Sequence, residues 1–147
     1  MITIKNTQRR HPIDRTRITG LATSMLQKLE YAGFDLGIWF CGEKTIREYN
    51  HTYRHKDKVT DILSFPYHTE LRPGDRIVIT CEEDKNLGDL LICPEYVAAT
   101  CHQWERDFDT HLTALLAHGI AHLLNYDHET DEEFAVMQKV EALLLTP

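Results

Sequence analysis

The chain has 147 residues, 42% of them hydrophobic and 27% charged, which suits one compact domain with one core. No apolar run is long enough to span a bilayer, and the opening stretch MITIKNTQRRHPIDRTR lacks the apolar centre of a signal peptide, so the expected location is the cytoplasm and no membrane partner is expected. The formal net charge of -7 argues against a broadly basic nucleic-acid surface, although residues 44 to 58 gather Lys44, Arg47, Arg54, Lys56 and Lys58 against only Glu48 and Asp57.

ITIKN, residues 2 to 6, alternates as a strand does. Asp14 is placed to cap a helix reaching about residue 31, with Ile18, Leu21, Met25, Leu26 and Leu29 on one face and Gly33 to end it. DLGIWFC, 35 to 41, is rich in strand formers, and EKTIREYNHTY reads as a short helix. TDILSFPY begins extended and stops at Pro66; RIVITC (76 to 81) and GDLLIC (88 to 93) read as two further strands. Pro94 opens a helix over PEYVAATCHQWERD. A helix follows from about Thr110 to Leu124, then a last one from about Asp131 to Leu145, with Thr130 as its cap and Glu133 as the capping-box partner.

Strands and helices do not alternate strictly. The expected fold is therefore α+β: a single domain over residues 1 to 147, with four or five short strands and five helices. Cys41, Cys81, Cys93 and Cys101 form no C-x-x-C pair and read as reduced, structural residues.

The chemistry concentrates in HGIAHLLNYDH, residues 118 to 128. His118 and His122 are four apart, so on a helix they share one face and can bind one ion together. Asn125 tolerates the left-handed conformation that ends helices, and the turn it makes can bring His128 back to the same ion. Three neutral imidazoles leave a tetrahedral zinc one position short, which is the pattern of a catalytic site. A zinc ion there carries its full charge, because no ligand is anionic, and so favours an anionic substrate. Iron or nickel suit the same imidazoles.

The spacing matches the zinc-protease pattern H-E-x-x-H-x-x-G-x-x-H, but Gly119 stands where the protease needs a glutamate base. Peptide hydrolysis is thereby disfavoured, and a metal-bound nucleophile is not. Asp127 has three readings: an outer partner that holds an imidazole N–H, which is the one favoured, a helper in proton transfer, or a cap for the turn.

These residues resemble the YbeY-type bacterial endoribonucleases, also called rRNA maturation factors, whose signature is similar to H-G-x-L-H-L-x-G-Y-D-H. The match runs through His118, Gly119, His122, Leu123, Tyr126, Asp127 and His128, with Ala121 for the usual Leu and Asn125 for the usual Gly. A second block, NHTYRHKDKVTDILSFP at 50 to 66, resembles N-x-x-Y-R-x-K-D-x-P-T-D-V-L-S-F-P, with Val59 for Pro and Ile62 for Val. A third, LGDLLI at 87 to 92, resembles L-G-D-I-x-I. The resemblance covers about residues 44 to 128 and keeps the three blocks in order.

The resemblance implies a metal-dependent endoribonuclease specific for single-stranded RNA. It implies one zinc per chain on His118, His122 and His128, and an α+β fold with a central sheet of about four strands flanked by helices. It further implies 16S rRNA 3′-end maturation and ribosome quality control, with the ribosome as partner and with Arg54 as a functional arginine. Arg54 would hold a phosphate; pairing with Asp57 or Asp61 is the alternative. Lys56 adds charge along an RNA strand or is simply solvated. Two rivals stand beside this reading: a metalloprotease-like hydrolase, and a non-catalytic ribosome-associated module that uses metal only to fold.

Overall fold

The alternating segments assemble into one four-stranded sheet in the computed structural model, which describes residues 1–147. Strands β1 (Ile2–Asn6), β2 (Asp35–Phe40) and β4 (Asn86–Ile92) run parallel, while β3 (Ile62–Pro66) joins β4 antiparallel, giving the spatial order β1-β2-β4-β3. Five helices accompany it: α1 (Arg15–Lys28), α2 (Glu43–Arg54), α3 (Pro94–Thr100), α4 (Phe108–Leu123) and α5 (Asp131–Leu144). The α+β architecture and the element count agree with the sequence reading.

The sheet separates two cores. On one face Leu36, Ile38, Leu90 and Ile92 pack with Ile18, Met25 and Leu26 of α1 and Leu112, Leu116 and Ile120 of α4. On the other, Leu63 and Leu91 pack with Ile46 of α2, Cys41 and Cys93. Helix α4 is apolar nearly all round and is buried accordingly. Its N-terminus is capped by Asp107, whose carboxylate accepts from Thr110 N–H at 2.7 Å. Asp14 caps α1 in the same way. Thr130 caps α5 by accepting from Glu133 N–H, without the return bond that a full capping box requires.

Gly119 is where α4 meets the sheet. A Cβ added there would lie 2.7 Å from Ile62 Cδ1 and 2.9 Å from Leu90 Cδ2. Position 119 therefore points toward the sheet, where a glutamate would have to displace the packed ends of Ile62 and Leu90. The missing protease base is a packing requirement of this fold as well as a difference in chemistry.

Four expectations are corrected. RIVITC is not a strand: Val78 is 77% exposed, and the backbone takes other partners. Arg76 donates to the carbonyls of Leu29 and Glu30 at the end of α1, Ile77 N–H donates to Tyr31 Oη, and Thr80 N–H donates to Asp84. With its polar groups engaged this way, the segment joins no ladder. Helix α1 ends at Lys28, before Gly33, because Glu30 already turns left-handed at φ 62. The PEYVAATCHQWERD helix is shorter than expected: α3 tightens into a 3-10 turn over Cys101–Trp104, and left-handed Glu105 (φ 53) stops it. The cysteines are all free, but Cys81 is exposed and is no core residue. Burial, reinforced by nearby Cys93, pushes the Cys41 thiol up to about 12.

The third sequence block also acquires a physical cause. Gly88 sits at φ 117 beside the β4 irregularity, and a Cβ there would collide with the Phe65 carbonyl oxygen and approach Tyr67 N to 2.8 Å. Gly88→Ala is therefore expected to destabilise the protein by about 3 kcal/mol, through strain and a backbone clash that only displacement of β3 relieves. Urea unfolding checks this; a midpoint within error of the parent chain would contradict it.

Candidate metal centre

Helix α4 carries His118 and His122 one turn apart on a partly open flank. The helix ends at Leu123, and Asn125 takes the left-handed conformation at φ 66. Tyr126 N–H then bonds back to the Ala121 carbonyl, and the chain returns far enough to set His128 against the pair. One ligating atom from each of the three histidines lies within 4.8 Å of the others. The ring centroids are 4.5 Å (118–122), 5.2 Å (122–128) and 5.6 Å (118–128) apart.

The hydrogen bonds around the rings fix which nitrogen of each helical histidine faces inward. His122 Nδ1 lies 2.9 Å from the Tyr126 carbonyl, which can only accept, so Nδ1 carries the hydrogen. His118 Nδ1 lies 2.9 Å from Glu141 Oε1, an acceptor when ionised, and is likewise the donor. A neutral ring with its hydrogen so placed presents Nε2 as its lone pair, and the Nε2 atoms of His118 and His122 face one another at 3.0 Å. Burial, with the neighbouring His118 and His128 rings, pushes His122 down to about 4, which leaves its Nε2 suited to accept from a cation or donor. Two nitrogens each about 2.0–2.1 Å from a tetrahedral zinc stand about 3.3 Å apart, close to the separation seen. The residues therefore fit a divalent metal held by neutral nitrogen donors.

Glu141 was missed at the level of sequence, where it read as one more acid on α5. Its signal was position: Met137 and Leu144, four before and three after it, are buried, so it is an acid on the apolar side of its helix. Asp127 sits differently from the favoured reading. Its carboxylate accepts from the His128 backbone N–H at 2.8 Å and holds the turn, and it makes no hydrogen bond to an imidazole ring. Asn125 does more than tolerate its conformation. Its Nδ2 donates to the carbonyls of His68 and Leu71, tying the loop after β3 to the metal turn.

The histidines open into a cleft of about 1090 Å³ between α4, α5, the edge of β3 and the loop beyond it. Arg54, the last residue of α2, lines the same cleft. Its side chain is exposed and makes no ion pair; Asp57 is taken by Arg47 at 2.8 Å. Left-handed His55 (φ 58) ends α2 immediately after Arg54, and buried Asn50 secures the following loop by donating to the Lys58 carbonyl. Lys56 is exposed on that loop and is not part of the cleft wall.

Fold and site together define an α+β protein with a three-histidine cluster, able to hold a metal ion, set in an open cleft beside an unpaired arginine. The family model described as endoribonuclease YbeY matches residues 3–147, and the chain belongs to that family. An endoribonuclease YbeY of Homo sapiens is 36% identical over 144 residues, covering 97% of this chain and 86% of its own length. One from Legionella pneumophila (strain Corby) is 37% identical over 134 residues, covering 91% and 80%. A solution structure of a Thermotoga maritima protein shares the fold, with a TM-score of 0.58 at 22% identity over 98% of this chain and 89% of that one.

An outer carboxylate that orients a ligating histidine contributes about 10- to 100-fold to metal affinity. Glu141→Gln should therefore weaken zinc binding by that order, and Asp127→Asn, which touches only backbone, by much less. Competition against a chromophoric chelator measures both; equal losses would contradict the assignment of Glu141 as the orienting group.

Proposed function

We propose that this chain is a zinc-dependent endoribonuclease acting on single-stranded RNA, with a cytoplasmic role in 16S rRNA 3′-end maturation and ribosome quality control. Family membership supplies the reaction class: the chain is an endoribonuclease, a hydrolase of RNA phosphodiesters. The observation that carries the metal part is the facing pair of Nε2 atoms at 3.0 Å, completed by His128. These three residues would hold one zinc ion per chain. Zinc held there supplies Lewis acidity toward a phosphoryl oxygen.

The remaining chemistry belongs to the chain's own residues. The ligand set is neutral, so the centre attracts rather than repels the anionic backbone of RNA. Glu141 keeps the His118 ring turned and its Nδ1 proton in place, and the Tyr126 carbonyl does the same for His122. Arg54, unpaired and on the cleft wall, offers its planar fork of donors to the phosphate being cut. Lys56, just outside the wall, adds charge where the strand leaves the cleft. Asp127 fixes the turn from which His128 reaches the metal.

A protease reading loses its support, because position 119 faces the sheet and cannot present a base. A module that needs metal only to fold is disfavoured by the 20-residue core, which is assembled without any of the three histidines.

Arg54→Glu separates metal from catalysis. The variant should bind zinc as the parent does yet lose about tenfold to a hundredfold in kcat/KM on single-stranded RNA, the range for one charged hydrogen-bonding group. Full activity with normal zinc content would show that Arg54 holds no phosphate.

A further inference from the structure

The cleft has a second polar feature toward the other end of α4. His111 lies seven residues before His118, two turns along the helix on the same side, about 10 Å away by helix rise. That is beyond hydrogen-bond reach of the same phosphate. His111 is only 3% exposed, yet it lines the cleft. Arg106 Nη1 lies 3.4 Å from its Nδ1. An arginine can only donate, so Nδ1 accepts and the ring hydrogen resides on Nε2. That Nε2 is buried and has no partner. An unpaired buried donor is uncommon in a native protein and marks a place where a polar partner is missing.

Two exposed groups stand over this histidine. The Trp104 ring stacks on it, with centroids 5.9 Å apart and planes 21° from parallel, while Trp104 itself remains 61% exposed. Arg106 follows after the left-handed Glu105 and makes no ion pair. Asp61, whose charge acts on His111, accepts from Ile62 N–H and Thr60 Oγ1 at its Oδ1. A large exposed indole, a free guanidinium and an orphan ring nitrogen thus converge within a cleft that continues to the metal centre.

We propose that Trp104, Arg106 and His111 form a second nucleotide subsite for single-stranded RNA, displaced along α4 from the phosphate that is cut. This rests on the ribonuclease reading above. An unpaired base stacks on the outer face of Trp104, and its phosphate meets Arg106 over the His111 floor. A base in a duplex has no free face to offer, so the subsite also favours single strands.

The chain has two tryptophans, Trp39 and Trp104, so Trp39→Phe leaves Trp104 as the sole indole emitter. Zinc-loaded Trp39→Phe protein is mixed with single-stranded RNA in a stopped-flow instrument, and emission is read before cleavage. Anisotropy of an end-labelled strand reports binding independently. The expected result is quenching of Trp104 in step with binding, with Trp104→Ala and Arg106→Gln each weakening affinity about tenfold and Trp104→Phe retaining most of it. If RNA binds and is cleaved while the emission is unchanged and Trp104→Ala binds as tightly, the subsite is wrong and the ribonuclease reading stands. If no RNA binds or is cleaved at all, that reading fails and the subsite falls with it.

Discussion

Two imidazole Nε2 atoms facing one another at 3.0 Å are the constraint on which this structure turns. Each ring is held through its other nitrogen, His122 by a backbone carbonyl and His118 by Glu141. Such a pair is suited to share one cation. The surrounding fold makes that arrangement durable. Helix α4 is held between the sheet and α5, and its close approach at Gly119 leaves no freedom to turn the histidines away. The third ligand depends on one left-handed residue, Asn125, whose side chain also anchors the loop forming the far wall of the cleft.

Charge explains how an acidic protein can act on RNA. The net charge is -7, but the histidine cluster contains no carboxylate, and the cations that matter are local. Arg54 and Arg106 both reach the cleft without an anionic partner. Three of the four acids in the same cleft are engaged, Glu141 by an imidazole, Asp127 by its own turn and Asp61 by neighbouring donors, while Glu129 is exposed and unpaired. The overall charge governs solubility and long-range attraction, whereas a few unpaired groups in a concave space govern what binds.

Much of this was legible in the sequence, for identifiable reasons. The gathering of the three histidines follows from helical periodicity plus one residue that tolerates a positive φ, both of which are local properties. The strands and caps were readable for the same reason, as Asp14 and Thr130 illustrate. What failed was non-local. RIVITC has strand composition, but its donors are claimed by Tyr31 and Asp84 and its Arg76 by the end of α1, partners no window of sequence contains. Glu141 and Asp127 were both visible as carboxylates, and only tertiary packing decides which reaches a histidine ring. His111 is the extreme case: an ordinary helix residue in sequence, and an unpaired buried donor once Arg106 and Trp104 close over it.

The central claim is that the three histidines form the metal centre of a ribonuclease. Cleavage of a single-stranded RNA, followed through chelation and zinc re-addition with secondary structure monitored in parallel, tests it most directly. The account predicts that chelation abolishes cleavage while the fold persists, that zinc restores activity at one ion per chain, and that His122→Ala cannot be restored. Undiminished cleavage by metal-free protein, or by His122→Ala, would contradict it.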